Sequence, residues 1–135
     1  MPDIGTPGDW LRYAESDLRL ARLGRADPQV LPNQVGFHAQ QAAEKALKGV
    51  LVGRGVEFPK THHLDELIEL VQDVGLVWPF AMDRVEALTP YAVQTRYPGA
   101  LSEITSVQMD DAIQIADEVL TWARQEARGT TEEGS

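Results

Sequence analysis

The apolar residues of the chain recur at helical spacing along most of its length. The first helix is predicted to begin at Pro7 or Gly8, with Thr6 or Asp9 as its cap, and to end near Arg25. One face of this helix contains Trp10, Leu11, Ala14, Leu18 and Ala21, with Asp17 beside them.

A second helix is predicted from about Asn33 to Gly53, and its two faces differ in chemistry. Small apolar side chains on one face would let a neighbouring helix approach closely. These residues are Ala39, Ala42, Ala43, Ala46, Leu47 and Val50. The opposite face is polar and contains His38, Gln41, Glu44, Lys45 and Lys48, with Phe37 among them.

Three further helical segments follow. One runs from Leu64 to about Val74, and another begins near Pro79, is expected to kink or break at Pro90 and continues to Thr95. The last runs from about residue 106 to 124. No segment alternates apolar and polar residues with period two, so no sheet is predicted.

These helices predict an all-α fold, an up-and-down four-helix bundle with an additional short helix. We expect residues 1–135 to form a single domain with its core at about residues 8–126. The small, polar and acidic residues 127–135 are expected to be a disordered tail.

Composition limits the class of protein further. Hydrophobic residues make up 43% of the chain, which suits a packed core. No apolar run approaches the roughly 18 residues that a membrane span needs. The chain has no cysteine, which excludes disulfides and thiol catalysis. We also expect no signal peptide, and therefore a cytoplasmic protein.

The charge distribution is uneven. The formal net charge of −9 argues against a general nucleic-acid binder. Between Lys45 and Lys60, however, four basic residues face only one acid, Glu57. A local basic site on an acidic protein is therefore compatible with the sequence.

Three motifs occur in order along the chain: FHAQQAAEKALK at residues 37–48, FPKTHHL at 58–64 and TRYP at 95–98. Together they resemble the HEPN domain (higher eukaryotes and prokaryotes nucleotide-binding), over roughly residues 10–123. The resemblance implies a helical bundle that commonly dimerises. It also implies one of three roles, which are nucleotide binding, partnership with a minimal nucleotidyltransferase, or RNA cleavage as a toxin.

In the RNA-cleaving branch of the family that this chain resembles, the ribonuclease motif is an arginine followed by four to six residues and then a histidine. Here Arg96 is followed by Tyr97-Pro98-Gly99-Ala100-Leu101-Ser102-Glu103, and no histidine occurs after His63. The ribonuclease motif is therefore missing, and no catalytic residue is predicted.

The polar stripe of the second helix is the first candidate site. His38, Gln41, Lys45 and Lys48 are spaced three, four and three residues apart and should lie in one line. The two lysines would offer a positive site to phosphate oxygens. Alternatively, the stripe is a solvated helix face with a Glu44–Lys48 ion pair, or it is a dimer face or pocket wall.

Arg96 and Tyr97 form the second candidate, at the turn after the fourth helix. Arginine can bind phosphate with two hydrogen bonds, and tyrosine can stack on a base. Two structural alternatives stay open. Arg96 could bind the last carbonyls of its helix or pair with Asp17, while Tyr97 fills the end of the bundle.

His62 and His63 suggest a metal site only superficially. Adjacent histidines in a loop diverge, and no third ligand has suitable spacing, so no metal is predicted. Thr61 or His63 is expected to cap the third helix. The other histidine, His62, could face a cleft and contact phosphate. There is no glycine-rich phosphate loop, and no cofactor is predicted.

The leading hypothesis is a non-catalytic or accessory HEPN protein that binds a nucleotide or RNA phosphate weakly. The protein would dimerise and could bind a nucleotidyltransferase-type partner in a two-component, toxin–antitoxin-like system. One alternative is a ribonuclease toxin with a non-standard site, built from His38 or His62 with Arg96. Another is a purely structural helical module.

Overall fold

The computed structural model describes residues 5–94 and 102–134. These residues contain helices and no strand, so the predicted all-α fold is confirmed. The helices are α1 (Pro7–Ala26), α2 (Pro32–Gly53), α3 (Leu64–Asp73), α4 (Met82–Glu86), α5 (Tyr91–Gln94) and α6 (Ser106–Gly134). In the described part of the chain, no helix is long and apolar enough to cross a bilayer.

Helix α1 begins as the sequence predicts. The Thr6 hydroxyl accepts the Asp9 N–H at 3.1 Å, and the Asp9 carboxylate accepts the Thr6 N–H at 3.1 Å. This reciprocal pair is a capping box, and Pro7 at the first helical position already has the φ angle that a helix needs.

Helix α2 is the central element of the bundle, with α1, α3, α5 and α6 packed around it. Helix α1 runs antiparallel to α2, so that Gly24 lies beside Val35 and Gly49 beside Trp10. Every residue of α2 is at least partly buried. Its polar stripe therefore lies inside the molecule or at the edge of a helix interface, and the interpretation as an ordinary solvated face is wrong.

Helix α6 runs antiparallel to α1 and parallel to α2. Arg25 pairs with Asp110 at 2.7 Å near one end of α1, and Glu15 pairs with Arg124 nearer the other. Helix α6 is longer than predicted. It continues to Gly134 and so includes residues 127–134, for which a disordered tail was expected.

The segment between α3 and α6 differs most from the prediction. The fourth helix starts at Met82 rather than near Pro79 and ends at Glu86, and α5 begins directly after Pro90. The expected break at this proline is therefore present, but two short helices replace one kinked helix. Thr95, the last residue of the predicted fourth helix, lies outside the described part of the chain.

The cap of α3 comes from this segment. The Thr89 hydroxyl accepts the Leu64 N–H at 3.2 Å, and the Glu86 carboxylate accepts the Asp65 N–H at 2.8 Å. His63 occupies the N-cap position, but its side chain makes no capping hydrogen bond. The prediction that Thr61 or His63 caps α3 is therefore wrong, because side chains more than twenty residues away supply the acceptors.

Candidate functional site

Asp17 of α1 is the first polar centre between α1 and α2. Its carboxylate lies 2.6 Å from Lys45 Nζ and 3.2 Å from His38 Nδ1. The aspartate is buried, while Lys45 and His38 are partly exposed. The two α2 residues therefore connect a buried negative charge to the surface.

Glu44 of α2 is the second centre and is only 4% exposed. Its carboxylate accepts hydrogen bonds from Gln40 Nε2 at 3.0 Å and Lys48 Nζ at 3.0 Å. His62 Nδ1 lies 2.8 Å from the same carboxylate. The predicted Glu44–Lys48 pair is thus present, but it is buried rather than solvated.

The charge state of Glu44 follows from these contacts. Burial alone would raise the pKa of its carboxyl group, because it penalises the charged form. The hydrogen bonds from Gln40 and His62, together with the Lys48 charge, outweigh burial and hold the pKa below its ordinary value. Glu44 is therefore ionised at neutral pH, and Lys48 is its counter-ion.

Two glutamines extend the arrangement. Gln41 donates to the Gln40 side-chain oxygen at 2.7 Å, and Gln40 also donates to the His62 carbonyl oxygen at 3.3 Å. Gln40 is fully buried, and sequence analysis did not identify it as a site residue. We call the whole group the α2 polar network; it consists of Asp17, His38, Gln40, Gln41, Glu44, Lys45, Lys48 and His62.

Aromatic rings border the network. Tyr13 of α1 is 59% exposed, and its ring centroid lies 5.9 Å from Lys45 Nζ. Phe37 contacts the His38 ring at 5.3 Å, and Lys48 Nζ lies 5.5 Å from the Phe58 centroid. Tyr13 was not among the site residues predicted from the sequence, although its position one turn before Asp17 places both residues on the same face of α1.

The structure brings together five of the seven site residues that the sequence suggests. His38, Gln41, Lys45, Lys48 and His62 all belong to the α2 polar network. Arg96 and Tyr97 lie outside the described residues.

The positive charges of this group are already balanced. Lys45 pairs with Asp17, and Lys48 pairs with Glu44. The Lys48 side chain is 11% exposed, whereas that of Lys45 is 25% exposed. An ammonium group has three N–H donors, so each lysine keeps donors beyond its carboxylate contact. Lys45 is the one whose remaining donors can reach solvent or a ligand.

Each of the two network histidines has a carboxylate at Nδ1. Such a contact favours the tautomer with the proton on Nδ1 and leaves Nε2 as an acceptor. The His62 side chain is half-exposed, so its second nitrogen can face a bound molecule. His63 lies apart from the network, beside Asp65 and Glu86.

Comparison with known proteins identifies the class. The family model of the HEPN domain matches residues 8–126. The chain therefore belongs to the HEPN family, which supports a nucleotide-related or RNA-associated role at the level of the family.

Two solved structures share the fold. One is the crystal structure of TT1696 from Thermus thermophilus, whose sequence is 27% identical to this one. The match covers 89% of this chain and 97% of that chain, with a TM-score of 0.76. ST0689, an archaeal HEPN homologue, is 26% identical, covers 92% of this chain and 99% of its own, and gives a TM-score of 0.66. A comparison with curated proteins found no match.

Proposed function

We propose that the protein is an accessory HEPN protein that binds a nucleotide or RNA phosphate at the exposed edge of the α2 polar network. The observation that supports this best is the position of Lys45. Its ammonium group is held by Asp17 at 2.6 Å, yet it reaches the surface beside the exposed Tyr13 ring.

The chemistry of this edge suits a nucleotide. Lys45 supplies donors for phosphate oxygens, His38 contacts the same Asp17 carboxylate through Nδ1, and the Gln41 side chain lies between these two residues on the same stripe of α2. The Tyr13 ring is exposed enough to stack on a base, which fits any base because each has a π-face. Arg96 and Tyr97 remain part of the proposed site as sequence predictions.

Binding should be weak. The Asp17 carboxylate competes with phosphate for Lys45, and the net charge of −9 repels polyanions at long range. Lys48 is neutralised by Glu44 under the protein surface, so it acts mainly by holding that carboxylate in place.

Calorimetric titration of nucleotides and short RNA tests this proposal. Tyr13→Ala and Lys45→Met should each weaken binding by about tenfold, since a stacked base or a charge-assisted contact contributes roughly 1–3 kcal/mol. Lys60→Met is the matched control, because Lys60 is exposed on a loop and belongs to no network contact. No binding to the wild type below millimolar concentration, or equal binding by all variants, would contradict the proposal.

We propose that the protein acts as a homodimer. Three large apolar side chains are exposed on α1 and the turn that follows it: Leu20, Leu23 and Leu31. A two-fold pair would cover them, since an apolar surface of this kind commonly marks an interface. Light scattering should give the mass of a dimer, and Leu20→Glu/Leu23→Glu should give a monomer.

A nucleotidyltransferase-type partner, which the family resemblance implies, is testable by co-purification.

A second candidate function is RNA cleavage at a non-standard site. The contacts of His62 with Glu44 and of His38 with Asp17 favour it, because a carboxylate that orients an imidazole is a common feature of general bases. The missing histidine after Arg96 argues against it. A cleavage assay with variants of the two histidines separates the two functions.

A further inference from the structure

A second group of ionisable side chains lies where α3 begins. His63, Asp65 and the α4 residue Glu86 each offer one ligand atom, and these three atoms lie within 4.8 Å of one another. The group is separate from the α2 polar network, since none of its members contacts a network residue through its side chain in the described part of the chain.

The main chain holds these side chains in place. The Asp65 N–H donates to Glu86 at 2.8 Å, which brings the α4 carboxylate to the start of α3. The His63 N–H donates to the Thr61 hydroxyl at 3.0 Å, which fixes the turn that carries the imidazole. Because the His63 side chain makes no capping bond, its ring nitrogens remain available.

The two carboxylates of the group, those of Asp65 and Glu86, form no ion pair with a basic side chain in the described part of the chain. Within the same part of the chain, Asp65 Oδ1 is buried and accepts no hydrogen bond. Burial and the neighbouring Asp65 charge raise the pKa of Glu86, although the Asp65 N–H and the Thr89 hydroxyl partly offset them.

We propose that His63, Asp65 and Glu86 form a binding site for a divalent transition-metal ion. A metal ion would balance the two carboxylates and lie among the three ligand atoms. The sequence predicted no metal because no third ligand had suitable spacing; in the fold, Glu86 supplies that ligand from 21 residues beyond Asp65 along the chain.

The ligand set defines the class of ion. One imidazole nitrogen and two carboxylate oxygens suit Zn²⁺ or Mn²⁺ better than Ca²⁺ or Mg²⁺, which prefer oxygen ligands alone. Ligands at about 2.0–2.2 Å from zinc lie roughly 3.5 Å apart, which is within the 4.8 Å that bounds the separations of the three ligand atoms here. Three protein ligands leave at least one position for water.

The experiment is calorimetric titration of Zn²⁺ and of Mn²⁺ into the full chain after treatment with a chelator. His63→Ala and Glu86→Gln should each weaken binding by at least about tenfold, since each removes one of three ligands. Glu86→Gln keeps an amide oxygen that can accept the Asp65 N–H, so the α3 cap is retained. Glu66→Gln is the control, because this exposed carboxylate lies on the same turn outside the group.

The outcomes are distinct. Wild-type binding at micromolar concentration that is lost in both ligand variants and retained in Glu66→Gln supports the site. Binding lost only in His63→Ala would mean capture by a lone surface histidine and would overturn the proposal. No wild-type binding below millimolar concentration would also overturn it. Neither result bears on nucleotide binding at the α2 polar network.

Discussion

Glu44 shows how a single buried charge is tolerated at the centre of a helical bundle. Taking a carboxylate out of water costs several kcal/mol unless donors replace the lost solvation. Here Gln40, Lys48 and His62 all contact the same carboxylate. Removing any one of them leaves the buried Glu44 carboxylate with too few donors. The contribution of each residue to stability therefore depends on the presence of the others.

Stability of variants at this pair tests that dependence. Glu44→Leu should destabilise the fold by about 3–5 kcal/mol, because the mostly buried Lys48 charge loses its partner. The double variant Glu44→Leu/Lys48→Met should recover most of this loss, since no charge is then left unpaired. Urea unfolding of the single and double variants provides the measurement, and additive losses would contradict the coupling.

The pH dependence of stability follows from the same carboxylate. The folded-state pKa of Glu44 is lowered below the ordinary value near 4.5, so the unfolded chain takes up a proton first as the pH falls. Its contribution is therefore present above about pH 4.5 and lost as the pH drops through the folded-state pKa. Urea midpoints measured from about pH 7 down to about pH 3 should fall over this acid range, and less steeply for Glu44→Gln.

At the scale of elements, α2 is the helix on which the others depend. Glycine lets α1 approach it closely at Gly49, where an added Cβ would lie 3.0 Å from Trp10 Cβ and 3.4 Å from the Pro7 carbonyl oxygen. These neighbours are a Cβ and a backbone atom, so neither can move without shifting the helix. The position therefore favours the smallest residue in spite of its low helix propensity.

A pair of alanine substitutions tests this packing. Gly49→Ala should destabilise the protein by about 1–3 kcal/mol, because overpacking between α1 and α2 exceeds the gain in helix propensity. Gly8→Ala is the control, since its Cβ would meet only Thr6 Oγ1 at 3.7 Å, and it should be neutral or slightly stabilising. Thermal unfolding of both variants provides the measurement. An equal rise in melting temperature in both would show that the α1–α2 interface accommodates the added methyl group without cost.

For the molecule as a whole, the sequence predicted α1 and α2 well and the end of α6 poorly. Helical periodicity and the local cap at Thr6 are properties of neighbouring residues, so α1 and α2 could be placed almost to the residue. Burial of the α2 polar stripe could not be predicted, because it depends on Asp17 and His62 arriving from other elements. The Glu86 contact at α3 was missed for the same reason.

The biochemical activity of the whole molecule gives a further prediction. We expect no RNA cleavage by the purified protein, because no histidine follows Arg96 to act as a general acid or base. Incubation with end-labelled RNA, followed by denaturing electrophoresis, measures this directly. Cleavage that disappears in His62→Gln or His38→Gln would support the non-standard ribonuclease instead.

The capping of α3 by Thr89 and Glu86 couples the local unfolding of α3 to that of the α4–α5 segment. The Leu64 and Asp65 amide protons are bonded to Thr89 and Glu86, so they are protected from solvent exchange only while that segment stays docked. The first turn of α3 and the α4–α5 segment should therefore open as one cooperative unit. Native-state hydrogen exchange at these two amides would report the free energy with which the whole edge of the bundle detaches.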